Sequence, residues 1–381
     1  MVDDYFVIDT DAHVEESEEV WEHVEKEFRD RRPVAVTLDN APSLGNVNAF
    51  WLVDGRPTHR PIGKGANLTL TPLTMEAAKA KEISLGSQSL LDLPARLRDM
   101  DTLGLDVQVV FPSCFNRPMA DDPRLETALH RAWNRWVIDT TRQAPRRLKP
   151  ISIMPLQEPE EAIREARWAK ENGAIGLGVY PMMGGRLLDD PAFEPFYATV
   201  NELDLPLCVH VGWYIPELTN LFDTVYMNVV FSIAIPSMLA LGCLVKSGVF
   251  DRYPRLRAGL FEAGSTWVPY IVERLDLYYR AHGRQNWWRP SRLPSEYIAE
   301  RRVYFTFEPD EGLLAPTIER LGADLFMLAS DMPHAELRES AAHQVARRAD
   351  LSAEVKRKVF SENAIRFFGP AIAPHRAGHA L

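Results

Sequence analysis

Eight short apolar runs recur along the chain, each followed by a polar or helix-patterned stretch: Tyr5–Asp9, Asp106–Phe111, Pro150–Met154, Ala174–Tyr180, Pro206–Val211, Arg257–Glu262, Arg302–Phe307 and Leu325–Ser330. Each is about six residues long, the usual strand length. Most are nearly continuous in apolar character, as expected for strands covered on both faces in a parallel sheet. The intervening stretches have helical spacing. Glu158–Asn172 sets Ala162, Ala166 and Ala169 on one face, has acids in its first turn, and meets Gly173 just past its end. Asp189–Leu203 and Ala353–Phe368 read the same way. Strand–helix alternation repeated eight times predicts an α/β chain folded as a (β/α)8 TIM barrel, one domain over residues 1–381. A doubly wound open sheet competes, but it usually has fewer strands, and no GxGxxG follows the first run.

Residues 30–95 break the alternation. They contain turn-rich NAPSLGN, the hairpin-like FWLVDGRPTH with its Asp-Gly turn, and GKGANLTLTP. This segment is expected to be an insertion after the first strand. It would fold over one end of the barrel as a lid, or serve as an ornamental subdomain or oligomer contact.

Composition narrows the function. The 381 residues carry 43 basic and 53 acidic side chains, a formal net charge of −10. That disfavours a nucleic-acid-coating protein or a polybasic membrane binder, both of which need positive surface. Cys114, Cys208 and Cys243 are too few and too scattered for a disulfide framework or a metal knuckle. The acidic start MVDDYFVIDTDAHVEE lacks the pattern of a signal peptide. Val225–Val245 is interrupted by Asn228, Ser232, Pro236 and Ser237, which suits a kinked buried helix better than a membrane span. A cytoplasmic protein is expected, acting on a small molecule without membrane or nucleic-acid partners.

Barrel enzymes keep reactive groups at strand ends. The first run leads into Asp11 and His13, two apart and so on one side of an extended chain. They are either half of a divalent-cation site or an Asx turn with a hydrogen-bonded imidazole. The fifth run ends in His210, a core histidine or a ligand; the eighth leads to Asp331, a helix cap or a ligand. In a closed barrel strands 1 and 8 are neighbours and strand 5 lies across the mouth, so all four side chains can meet. Two carboxylates and two imidazoles suit Zn²⁺ or Mn²⁺ over Mg²⁺ or Ca²⁺.

The set IDTDAH, PLCVHVGW and ASDMPH resembles the amidohydrolase superfamily. More narrowly it resembles the amidohydrolase-related branch that includes aminocarboxymuconate semialdehyde decarboxylase and γ-resorcylate decarboxylase. MDTLGLDVQVVFPS, GAIGLGVYPMMGG, FDRYPRLRAGLFEAGSTWVPYIVERLD and SENAIRFFG are similar too. The likeness is weakest between about 30 and 95. The resemblance implies one divalent metal held by Asp11, His13, His210 and Asp331, with Asp331 also an acid/base. The run AIGLGVY has no lysine to bridge a second ion.

Two departures stand out. The family's strand-1 pair is HxH or ExH, and this chain has Asp11 in the first place. Decarboxylase relatives have a histidine six residues before the proline that follows strand 6; here that position is Ala263, with Glu262 beside it. Glu262 is a candidate replacement base, or a strut to a neighbouring strand or arginine. Trp213 and Tyr214 could wall an aromatic substrate or simply pack, and His334 could touch the substrate, sit behind the metal or merely decorate a helix end. Glu308 and Asp310 could face the substrate but are expected to cap a helix. Arg56, Arg60 and Lys64 are expected to be solvated; Trp287–Trp288, with Arg289 and Pro290, reads as an interface element. The resemblance implies a metal-dependent, non-oxidative decarboxylase of a small aromatic or conjugated acid. The alternatives are a metal-dependent hydrolase of an amide, lactone or related bond, and a binding protein with a decayed metal site. A homodimer is expected from apolar Met227–Val245.

Overall fold

The computed structural model describes residues 2, 4–37, 49–58, 83–222, 225–283, 290–334 and 341–373. Arg60, Lys64 and Trp287–Trp288 lie outside the described residues. Eight parallel strands form one sheet in chain order. They are β1 (Ile8–Val14), β2 (Val107–Pro112), β3 (Leu148–Ile153) and β4 (Gly176–Val179), followed by β5 (Leu207–His210), β6 (Ala258–Phe261), β7 (Val303–Phe307) and β8 (Phe326–Leu328). Every expected run overlaps a strand, the first only at Ile8–Asp9, and almost every strand residue is buried, as sheets covered by helices require.

The ring closes where β1 meets β8. The Thr10 hydroxyl donates to Leu328 O (2.9 Å), the Asp331 N–H to Asp11 O (2.9 Å) and the His13 N–H to Met332 O (2.6 Å). The first strand therefore runs past the expected end at Asp9. Its polar residues look like a strand end in sequence, but they are the groups that seal the barrel.

Helices α1 (Leu93–Leu103), α2 (Pro123–Thr141), α3 (Pro159–Asn172), α4 (Glu194–Leu203), α5 (Val225–Ser247), α6 (Val268–His282) and α7 (Leu314–Leu321) follow β1 to β7 in turn. Three short helices, Ala341–Arg347, Ala353–Arg357 and Asn363–Phe368, follow β8. The boundaries follow local chemistry. Asp92 caps α1 by accepting the Ala95 N–H (2.9 Å), and α3 stops at Gly173, whose φ of 99° is left-handed. Within α5, residues Val229–Ser247 are long and apolar enough to cross a membrane by length and composition. Here that helix packs against β5 and α6 while Met227, Val230, Phe231 and Leu239 stay exposed.

The insertion begins as an antiparallel sheet of Val34–Thr37, Ala49–Val53 and Arg56–Thr58. Asp54 and Gly55, both at positive φ (49° and 74°), form the expected two-residue turn. Buried Trp51 meets Trp21 edge-on at 5.6 Å, and Trp21 meets Phe115 at 6.2 Å. Arg31 bonds Asp54 and Asp122, and exposed Arg56 pairs with Asp121. These contacts pin the sheet to the loop after β2, at the C-terminal rim of the barrel.

Candidate metal centre

His13 and His210 end opposite strands with their rings fixed in the same sense. His13 Nδ1 lies 2.9 Å from Pro112 O, and His210 Nδ1 lies 2.9 Å from Val211 O. A carbonyl only accepts, so each Nδ1 carries the proton and each Nε2 presents a lone pair. Those two Nε2 atoms stand 3.2 Å apart. Two neutral imidazoles cannot hydrogen-bond through two lone pairs, so the arrangement calls for a cation between them.

Carboxylates complete the ring around that point. Asp11 Oδ1 lies 3.5 Å from His13 Nε2 and 3.4 Å from His210 Nε2, and Asp331 Oδ1 lies 3.3 Å from His13 Nε2. Asp11 is fully buried, and neither of its carboxylate oxygens has a hydrogen bond within the protein. Buried carboxylates normally find donors, because leaving one without costs several kcal/mol; a bound cation removes that cost. The donor atoms of Asp11, His13 and His210 lie within 4.8 Å of one another, as do those of His13, Glu262, Asp331 and His334. Two imidazoles with carboxylates fit a first-row divalent ion.

Electrostatics in the protein alone keep His13 neutral and draw positive charge towards Asp11. Burial, helped by neighbouring His334, pushes His13 down to about 4, keeping it neutral. Burial would raise the Asp11 carboxyl, but His210 and His13 outweigh it and hold Asp11 below the usual range. Burial likewise opposes charge on His210, yet the Asp11 carboxylate raises that imidazole.

Asp331 and Glu262 follow β8 and β6 in the left-handed conformation, each with φ of 57°. That backbone costs a residue with a Cβ about 1–2 kcal/mol. Each carboxylate is thereby turned into the mouth. Glu262 Oε2 lies 3.2 Å from His210 Nε2 and 3.9 Å from His13 Nε2. His334 stands behind Asp331, with Nδ1 2.9 Å from Asp331 Oδ1 and Nε2 2.7 Å from Ser113 Oγ. Its ring stacks on His13 at 4.1 Å, so His334 holds the aspartate and the ligand ring at once.

A cavity of about 600 Å³ opens beside Glu262, walled by Val229, Ile233, Gly264, Glu308, Asp310 and Gln344. Glu308 and Asp310 thus face this space, while nearby Glu311 accepts from Ser265 and from the Glu308 N–H. Neither Trp213 nor Tyr214 lines this cavity. The Arg117 guanidinium sits 5.8 Å over Trp213. Tyr214 stacks on Tyr180 at 4.3 Å, donates to Phe115 O (2.7 Å), and lines a separate cavity of about 270 Å³ with Glu126, Gln157 and Met183.

Sequence reading missed the layer beneath the centre. Asp9 accepts from Ser330 N–H (2.9 Å), Ser330 Oγ (2.6 Å) and Gln108 Nε2 (2.9 Å), and burial lifts its carboxyl to about 6. Gln108 in turn accepts from the buried Arg96 Nε (2.8 Å), and Arg96 also donates to His13 O (3.1 Å). A polar Gln108 within an apolar run was the available signal; Arg96 had none.

A sequence profile of the amidohydrolase family (Amidohydro_2) matches residues 8–369. The chain is 25% identical over 268 residues to the γ-resorcylate decarboxylase of Rhizobium sp. (strain MTP-10005), covering 64% of this chain and 78% of that enzyme. In fold it is similar to the amidohydrolase map2389c of Mycobacterium avium subsp. paratuberculosis K-10 (TM-score 0.77, 20% identity, 96% and 100% of the two chains). It is also similar to 5-carboxyvanillate decarboxylase LigW2 of Novosphingobium aromaticivorans DSM 12444 (TM-score 0.70, 22% identity, 96% and 97%). That structure carries bound manganese and 3-methoxy-4-hydroxy-5-nitrobenzoic acid. With nearly its whole length matched and its strand-end donors gathered at one point, the chain belongs to the amidohydrolase family.

Proposed function

We propose that this chain is a metal-dependent, non-oxidative decarboxylase of a small aromatic acid, holding one Mn²⁺ or Zn²⁺ on Asp11, His13, His210 and Asp331. The reading rests above all on the two Nε2 lone pairs, 3.2 Å apart with both Nδ1 atoms committed elsewhere. Similarity to decarboxylases of hydroxylated benzoates, one of them crystallised with manganese, supports the substrate class.

The chain's own groups supply the proton traffic. A bound divalent ion would contribute Lewis acidity towards a substrate oxygen. Asp331, protonated before the step and held by His334 Nδ1, gives up its O–H proton to the ring carbon as the bond to the carboxylate breaks, and is left ionised. One C–H bond forms, one C–C bond is lost, and carbon dioxide leaves. The Ser113 hydroxyl on His334 Nε2 continues the hydrogen-bond chain behind the aspartate and keeps the imidazole in the tautomer that donates to it. Trp213 and Tyr214, which follow His210 in the chain, are the residues we assign to the aromatic ring.

A second reading, hydrolysis of an amide, lactone or related bond, is favoured by one observation: the 600 Å³ cavity is walled by Glu308 and Asp310, which repel an anionic acid. Incubating manganese-loaded protein with 2,6-dihydroxybenzoate, 5-carboxyvanillate and a set of aryl esters and lactones separates the two. Carbon dioxide release from a benzoate supports the decarboxylase. Turnover confined to esters or lactones refutes it in favour of the hydrolase.

A further inference from the structure

We infer that Glu262 is itself a ligand of the ion, making a shell of three carboxylates and two imidazoles that selects Mn²⁺ over Zn²⁺. The inference deepens the proposed function and rests on its cation. An ion bonded at about 2.1 Å to each donor sets neighbouring donors about 3.0–3.4 Å apart and opposite ones about 4.2 Å apart. Glu262 Oε2 is 3.2 Å from His210 Nε2, the separation of neighbouring ligands, and 3.9 Å from His13 Nε2, inside the limit for opposite ones. The shorter value matches the 3.2–3.5 Å that separates His13 from Asp11, His210 and Asp331 and Asp11 from His210. Glu262 lines the large cavity, yet its Oε2 stands within ligand distance of the His210 imidazole rather than a substrate's width away.

Backbone and neighbours agree. The left-handed φ of Glu262 repeats that of Asp331, the corresponding carboxylate after β8. The Glu262 N–H is held by Thr306 Oγ1 (2.9 Å), which fixes the turn that aims the side chain inward. Three carboxylates carry a formal charge of −3, and oxygen-rich shells of five or more donors suit Mn²⁺, whereas Zn²⁺ favours four donors with more nitrogen. Glu262 thus fills the shell at the strand-6 end where this chain has no imidazole.

The test measures metal binding directly. Chelator-stripped wild type, Glu262→Gln, Glu262→Ala and Glu262→His are titrated with Mn²⁺ alone, followed by electron paramagnetic resonance, and then competed with Zn²⁺. Circular dichroism and thermal unfolding of the stripped proteins establish that each variant is folded. Wild type is expected to take one Mn²⁺, with E262Q and E262A at least tenfold weaker and an altered spectrum. E262H is expected to hold one ion but move the Zn²⁺-to-Mn²⁺ preference at least tenfold towards zinc. Folded E262Q binding Mn²⁺ within threefold of wild type, with an unchanged spectrum, overturns the ligand assignment while leaving the four-ligand site standing. Wild type that takes neither ion overturns the metal reading as a whole.

Discussion

Arg96→Met isolates the polar layer under the centre. Arg96 is fully buried and makes three bonds: Nε to Gln108 Oε1 (2.8 Å), Nη2 to His13 O (3.1 Å) and Nη1 to Ser87 O (3.4 Å). Gln108 passes the interaction to the Asp9 carboxylate, so the guanidinium is the counter-charge for a carboxylate with no access to water. Burial lowers Arg96 to about 10, which leaves it charged at neutral pH. Methionine keeps much of the volume, so the loss is polar. Three bonds at about 1 kcal/mol each, plus 1–2 kcal/mol for a carboxylate left without its cation, give a destabilisation of about 4–5 kcal/mol. Urea unfolding of metal-free protein measures it without the contribution of bound ion. Asp9→Asn removes the stranded charge, so the double variant should recover at least about 1 kcal/mol relative to the sum of the single losses. A loss below about 1 kcal/mol for R96M, or strict additivity with D9N, refutes the idea that charge compensation holds this layer together.

Asp331→Asn should keep the fold and lower turnover by about 10²–10⁴-fold, the usual worth of a positioned acid; near wild-type turnover at full metal occupancy contradicts its role. Asp251 accepts from the Tyr297 hydroxyl (2.6 Å) and the Ser291 N–H (2.8 Å); burial would raise its carboxyl, but these bonds hold it below the usual 3.8. A depressed folded-state value stabilises above the unfolded one and is lost on acidification. The advantage of wild type over Asp251→Asn, about 1 kcal/mol at pH 7, should therefore fade towards about pH 3 in urea melts. Exposed Met227, Val230, Phe231 and Leu239 on α5 lead us to expect a dimer by light scattering, with Phe231→Glu shifting it to monomer. At saturating Mn²⁺, Glu262→Gln should bind a nitrobenzoate anion about tenfold tighter relative to a neutral nitrophenol, because one negative charge has left the centre; calorimetry decides.

The barrel was legible because its signal is repeated: eight apolar runs of similar length leave little room for another layout, and each overlaps a strand. The four candidate ligands could be named together because barrel closure brings the ends of strands 1, 5 and 8 together whatever the loops do. What escaped was polarity serving structure. Asp9 read as a strand end because a carboxylate inside a strand is costly, yet Ser330 and Gln108 satisfy it across the closing seam. Arg96 escaped because its partners lie up to 83 positions away in sequence, and a buried arginine on an amphipathic helix looks like any solvated one. His334 was visible as a residue but not as a clamp, since its second partner, Ser113, comes from the far end of β2.

The two departures from the family pattern can be understood together once reach and charge are considered. Aspartate in place of glutamate on β1 withdraws an oxygen by one methylene, and the Asp331 N–H donating to Asp11 O leaves the backbone little freedom to follow. A four-donor shell built around the shorter side chain has space on the β6 side. Glu262, one methylene longer and turned inward, reaches it. With Glu262 included, the charge balance becomes −3 + 2 = −1, and Glu308 and Asp310 add to the negative wall on that side. An anionic ring would then be repelled from the β6–β7 wall. It would be accepted towards β2 and β5, where Arg117 lies over Trp213 and Tyr180 stacks on Tyr214. On the proposed function, that asymmetry would orient an aromatic acid with its carboxylate away from Glu308 and Asp310 and the carbon to be protonated towards Asp331.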